Sequence, residues 1–228
     1  LKEKGILYIC PTPIGNLEDI TLRVLRVLKE VHLIVAEDTR ITCKLLNHYN
    51  IKTRLTSYYK YDKVPKTDLI LAFLKEGKDI ALVVDAGTPI LSDPGYELVS
   101  QAISQGIEIV SLPGANALIP ALVVSGIPID KFIYHGFLPK RKNKRKKLLL
   151  SLQALPYTLV FFVSCHDIIP ALEDTLVILG DRQAVLVKEL TKVHEKILRK
   201  DIKSLINLLK EDKELLKGEF ILIVKSEK

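Results

Sequence analysis

Three times in its first half the chain runs an apolar, strand-like segment straight into a turn built from proline and glycine. Ile6-Leu7-Tyr8-Ile9-Cys10 enters Pro11-Thr12-Pro13-Ile14-Gly15-Asn16, Ile80-Ala81-Leu82-Val83-Val84 enters Asp85-Ala86-Gly87-Thr88-Pro89, and Ile107-Glu108-Ile109-Val110-Ser111 enters Leu112-Pro113-Gly114-Ala115-Asn116. Each turn leads into a helix-like stretch. Strands alternating with helices restrict a chain to a mostly parallel sheet with right-handed crossovers. In such a sheet ligands bind just beyond the carboxyl ends of the strands, where these turns lie. Glycine lets a ligand approach the backbone, and threonine or asparagine supplies a polar group without bulk. Glycine and proline also simply end strands, but three turns of like construction point to a small-molecule site made largely of backbone.

Further along, Asp19–Val31 carries apolar residues at helical spacing, with Asp19 or Thr21 as its cap. His32–Ala36 reads as a strand and Thr39–Tyr49, Asp68–Lys75 and Gly95–Gln105 as helices. After a helix of small apolar residues over Ala115–Ser125 the pattern restarts. Lys131–Gly136, Tyr157–Ser164, Gln183–Lys188 and Glu219–Val224 read as strands, and Arg145–Leu152, Asp167–Leu179 and Ile202–Lys210 as helices. Two α/β domains are expected, 1–112 and 113–228, with a ligand cleft between them.

Several function classes are disfavoured. No apolar run approaches the ~20 residues of a membrane span, and no charged segment followed by an apolar one opens the chain, so a cytoplasmic protein is expected. Cys10, Cys43 and Cys165 are odd in number and widely spaced, which fits buried reduced thiols rather than disulfides or zinc. There is no G-x-G, so neither the dinucleotide fingerprint nor the phosphate-binding loop is present. No motif suggests a metal or a serine nucleophile.

Two charged segments stand out. Ala36-Glu37-Asp38-Thr39-Arg40 follows a strand and opens a helix, where carboxylates either line a site or complement the helix dipole. In Lys140-Arg141-Lys142-Asn143-Lys144-Arg145-Lys146-Lys147 seven of eight residues are basic. Cations at a helix start oppose the dipole and repel one another, so a polyanionic partner explains them better than folding does. Tyr58-Tyr59-Lys60-Tyr61-Asp62-Lys63 interleaves aromatics with charges, a composition suited to stacking bases or to packing on a core.

Read together, the blocks resemble the tetrapyrrole-methylase superfamily of S-adenosylmethionine (SAM) enzymes. Within it they resemble the branch that methylates a cytidine ribose 2′-hydroxyl in the decoding region of 16S rRNA. The matching blocks are Pro11-Thr12-Pro13-Ile14-Gly15-Asn16-Leu17, Ala36-Glu37-Asp38-Thr39-Arg40, Asp85-Ala86-Gly87-Thr88-Pro89-Ile90-Leu91-Ser92-Asp93-Pro94-Gly95, Leu112-Pro113-Gly114-Ala115-Asn116-Ala117, Gly136-Phe137-Leu138-Pro139, Lys188-Glu189-Leu190-Thr191-Lys192 and Lys217-Gly218-Glu219. The resemblance implies a mostly parallel N-terminal sheet, a mixed C-terminal sheet, SAM folded into the interdomain cleft, and a homodimer acting on the small ribosomal subunit. SAM would be held by Pro13, Asp85, Ala86, Gly87, Thr88, Ile90, Pro113, Gly114, Asn116, Ala117, Phe162 and Val163. Activating a ribose hydroxyl calls for a base or a nearby cation. Glu37, Asp38 and Glu189 are the candidate carboxylates and Arg40 and Lys188 the candidate cations, with no metal required. Lys140, Arg141, Lys142, Lys144, Arg145 and Lys146 would meet RNA phosphates.

The chain also departs from that family. Where the family usually reads Glu-Ser-Pro-His-Arg, this sequence has Val163-Ser164-Cys165-His166-Asp167, and it stops soon after Glu219 without the small helical extension of many members. Two other readings stay open: a small-molecule tetrapyrrole methylase, which has no use for the basic segment, and a member that binds SAM and RNA without catalysis.

Overall fold

The computed structural model describes residues 4–58 and 66–227, so of the aromatic segment Tyr58–Lys63 all but Tyr58 lies outside the described residues. The chain divides into two compact units, Leu1–Asn116 and Ala117–Lys228. The Leu112–Asn116 turn therefore belongs to the first.

The first unit runs β1 (Ile6–Ile9), α1 (Leu22–Glu30), β2 (Leu33–Ala36), α2 (Thr39–His48), β3 (Leu55–Ser57), α3 (Lys66–Lys75), β4 (Ile80–Val83), α4 (Tyr96–Ser104) and β5 (Glu108–Ser111). Its sheet has the order β3-β2-β4-β1-β5, and every pair is parallel. Alternate strand residues point to opposite faces. Leu7, Leu33, Val35, Ile80 and Leu82 pack with Ile70, Leu74 and Leu98 of α3 and α4. Ile34, Ala36, Ala81 and Val83 pack with Val24, Leu28 and Leu46 of α1 and α2. Both faces are covered, so the central strands read as continuous apolar runs rather than as alternation. Thr21 is the cap of α1, accepting from the Val24 amide at 3.2 Å.

The second unit contains α5 (Leu118–Ser125), β6 (Phe132–Phe137), α6 (Lys142–Leu152), β7 (Thr158–Ser164), α7 (Ile168–Leu179), β8 (Gln183–Lys188), β9 (Lys196–Asp201), α8 (Ile202–Glu211) and β10 (Glu219–Val224). The sheet order is β6-β7-β10-β8-β9; only β6 and β7 pair parallel. Leu159, Phe161, Val163, Leu186, Phe220 and Leu222 face α6, α7 and α8 in one core. Val160, Val185, Val187, Ile221 and Ile223 are buried as well and lie on the alternate face.

Two strands are additions to the sequence reading. Leu55–Ser57 is a three-residue edge strand, half-buried throughout. Lys196–Asp201 is an edge strand whose four charged residues hide its β character, and such charges keep an open edge from pairing with another chain. Among the described residues no helix is long and apolar enough to cross a membrane. The three cysteines are free, but only Cys10 is buried, and burial pushes its thiol up to about 12. Cys43 is exposed on α2, contrary to the expectation for all three.

Candidate functional site

Because all five strands of the first unit are parallel, their carboxyl ends share one edge, and the turns meet there. The Thr12 and Gly87 backbones exchange two hydrogen bonds of 2.9 Å, joining the turn after β1 to the turn after β4. The Thr12 hydroxyl donates to the Val84 carbonyl at 2.9 Å. The Thr88 hydroxyl donates to the Ala115 carbonyl at 3.1 Å, which brings in the turn after β5. A side chain at Gly114 would stand 2.7 Å from Pro11 Cβ, so only glycine lets the β1 and β5 turns touch. Pro13, Asp85, Ala86, Gly87, Thr88, Pro113 and Gly114 thus lie on or beside one knot of backbone.

The segment that follows holds unusual backbone. Gly87 has φ +87°, Ile90 +77° and Ser92 +71°. A β-branched residue in the left-handed region is a genuine outlier. Such strain costs on the order of 1–3 kcal/mol and gathers at functional sites.

Four carboxylates crowd the same edge. Asp38 caps α2, accepting from the Arg40 amide at 2.8 Å, while its own amide donates to Asp85 Oδ1 at 3.1 Å. The Arg40 guanidinium closes back on Asp38 at 2.5 Å, and this hydrogen bond holds the Asp38 carboxyl down at about 2. Asp38 thus serves the helix start, while Glu37 lies near Asp85 and Asp93. Burial raises Glu37, with Asp85, Asp93 and Asp38 adding to the shift. Asp85 is raised by burial too.

Burial, reinforced by Asp85, lifts Asp93 to about 6. Asp93 lies within one of the matching blocks, and its signal in the sequence is the Ser92-Asp93-Pro94-Gly95 turn. A carboxyl whose pKa is raised on folding contributes stability below about pH 4, lost as pH climbs through about 6. Asp93→Asn is expected to be neutral near pH 4 and to stabilise by about 1 kcal/mol at pH 7.5, after discounting for the site's partial exposure. Urea unfolding at the two pH values measures this; equal effects at both would remove Asp93 from the buried set.

The second unit places its candidates differently. In the register, Val163 and Lys188 both sit opposite Phe220, on the helix-covered face. Val163 is 3% exposed within the core, so only its backbone is available to a ligand. Lys188 is 6% exposed and its ammonium donates to the Glu214 carbonyl at 3.3 Å. Glu189 has φ +50° and works as a clasp: its Oε1 accepts from the Glu219 amide at 2.8 Å and from Lys192 Nζ at 3.0 Å. Burial pushes its carboxyl up, but the Glu219 amide and the Lys192 ammonium outweigh burial and hold it low. Lys188 and Glu189 are thus engaged inside their own unit, which argues against their use as free catalytic groups.

The basic segment needs one correction. Arg145 is 3% exposed, pairs with Asp174 at 2.7 Å and donates to the Pro139 and Lys140 carbonyls at 3.2 and 3.0 Å. It holds the turn rather than meeting phosphate, because its donors are spent internally. Lys146 is half-buried, 3.7 Å from Asp174. Lys140, Arg141, Lys142, Lys144 and Lys147 are exposed.

A family model described as Tetrapyrrole (Corrin/Porphyrin) Methylases matches residues 6–206. The chain belongs to the tetrapyrrole methylases. It is 47% identical over 222 residues to "Ribosomal RNA small subunit methyltransferase I" of Halalkalibacterium halodurans, covering 97% of this chain and 76% of that protein. It is 46% identical over 220 residues to the protein of the same name from Thermotoga maritima, covering 96% of this chain and 98% of that one. Among solved structures it is similar in fold to a diphthine synthase, with a TM-score of 0.75 and 14% identity over 98% of this chain and 91% of the other. The methyl donor of tetrapyrrole methylases is SAM. The residues present fit it. SAM carries a sulfonium, an ammonium and ribose hydroxyls, and the knot offers exposed backbone at Ala86 with half-buried carboxylates at Glu37, Asp85 and Asp93. Among the described residues no group of three or more His, Cys, Asp and Glu side chains is arranged to hold a metal ion.

Proposed function

We propose that this tetrapyrrole methylase transfers a methyl group from SAM to RNA of the small ribosomal subunit, at the 2′-hydroxyl of a cytidine ribose in the decoding region of 16S rRNA. The observation that carries the reading is 46–47% identity, over nearly the whole chain, to proteins named for small-subunit rRNA methylation. The exposed cations of Lys140–Lys147 support it, since a run of exposed cations suits the repeated phosphates of RNA.

SAM supplies an electrophilic methyl when bound, and displacement at that carbon requires the ribose oxygen to be held in line. The backbone of Ala86, Gly87 and Thr88, with Asp85 and the Pro113–Gly114 turn beside it, holds the cofactor. Glu37 takes the proton from the ribose hydroxyl. Its raised proton affinity and its place beside the knot favour it over Asp38, which Arg40 keeps ionised. Exposed Lys140, Arg141, Lys142 and Lys144 meet phosphates, giving affinity without sequence information.

The test is methyl transfer from labelled SAM to small-subunit particles from a deletion strain, followed by mapping of 2′-O-methyl groups. One methylated cytidine in the decoding region is expected. Transfer to a tetrapyrrole but not to RNA would move the protein to the small-molecule reading, and SAM binding without any transfer to the non-catalytic one. Gly87→Val tests the cofactor site. At φ +87° a branched side chain is strained, and it sits where backbone should meet cofactor. Calorimetric SAM affinity should fall more than tenfold, about 1.4 kcal/mol or more; unchanged affinity in a folded variant would place SAM elsewhere.

A further inference from the structure

Strand β6 carries a bulge. Tyr134 pairs with Val160, but Gly136, at φ +78°, pairs with Phe161 and Phe137 with Phe162, so His135 is the extra residue. Without the bulge, Tyr134 and Phe137 would point to opposite faces, because side chains alternate along a strand. With it, both fall on the Phe162 face. Phe162 meets Tyr134 edge-on, with ring centroids 5.2 Å apart, and Phe137 edge-on at 5.5 Å. Phe137 nonetheless remains 61% exposed, so folding leaves much of its ring unused. Two residues later the chain reaches Pro139 and Lys140, whose carbonyls are fixed by buried Arg145. An exposed ring is thus followed at once by exposed Lys140, Arg141, Lys142 and Lys144 on an anchored turn.

Aromatic faces beside cations that track a phosphate chain are how proteins hold unpaired nucleotides. We infer that Phe137, braced by Phe162 and Tyr134, is a stacking platform for an unpaired base of single-stranded RNA whose phosphates lie on Lys140 and Arg141. The inference rests on the RNA reading above and specifies how the RNA is held. The positive charge beside the ring favours a nucleic acid over an apolar protein segment.

The test uses the full chain and a short single-stranded RNA carrying 2-aminopurine, whose fluorescence falls when it stacks. Phe137→Ala should weaken binding about tenfold, abolish the quenching at saturation and leave the salt slope unchanged. Phe137→Trp should restore both. Replacing Lys140 and Arg141 with glutamine should instead make the salt slope shallower by up to ~0.7 per lost contact and keep the quenching. Unchanged affinity and quenching in Phe137→Ala would overturn the platform. So would full function in Phe137→Leu, which keeps apolar bulk but has no ring to stack. A changed oligomeric state of Phe137→Ala with unchanged RNA affinity would assign the face to a second copy of the chain and overturn it as well. The assay involves no methyl transfer. A protein inactive on ribosomal particles but quenching the oligonucleotide would lose the proposed reaction and keep the platform; an active protein indifferent to Phe137 would lose only the platform.

Discussion

Arg145→Ala is expected to destabilise the protein by about 3–5 kcal/mol in urea unfolding, far more than loss of any neighbouring lysine. Truncating one member of a buried ion pair leaves the other as an uncompensated charge. Here that charge is Asp174, itself buried, and the Pro139 and Lys140 carbonyls lose their donor at the same time. Lys146, 3.7 Å away and partly exposed, cannot replace a guanidinium that serves three acceptors. Arg145→Met with Asp174→Leu should recover most of the stability, since apolar residues of similar volume often replace a buried pair at little cost. Lys144→Gln should stay within about 0.5 kcal/mol of the parent, as surface changes usually do. An Arg145→Ala variant as stable as the parent would return Arg145 to the set of RNA-facing cations.

Val163→Glu is the second large effect, expected to cost about 3–5 kcal/mol. The family pattern puts glutamate here, yet this side chain lies in the core against the helices, where an unpaired carboxylate is not tolerated and a protonated one loses its hydrogen bonds to water. Asp167, the other departure, accepts from the Ser164 hydroxyl at 3.1 Å. Asp167→Arg alone should cost little, and added to Val163→Glu it should recover part of the loss, with a coupling of about 1 kcal/mol or more. Simple additivity would show that the two positions do not communicate. The methyl-transfer rate of the double variant would show whether the lost pair served substrate or only the fold.

Much of the molecule was legible in the sequence because its signals are local. Strand β8 over Gln183–Lys188 and strand β10 over Glu219–Val224 match the expected bounds, since an apolar run between breakers is a local statement. Strands β3 and β9 were missed because edge strands pair on one side only and need little apolar content. The turns of the knot announced themselves through glycine and proline, whose backbone preferences are independent of what lies around them.

By itself the sequence determined the α/β class, the three converging turns, the absence of a dinucleotide fingerprint and the membership in a methylase family. Tertiary structure alone decided which charged groups remain available. Arg145 and Lys144 are neighbours in one basic run, but helix rotation turns Arg145 inward to Asp174 and leaves Lys144 in water. Lys188 faces the core because its row of the sheet includes Val163 and Phe220, and a one-residue bulge put Phe137 beside Phe162. Charge and ring are written in the residue; the direction a side chain points follows from register and helix phase, which are set only when the elements pack.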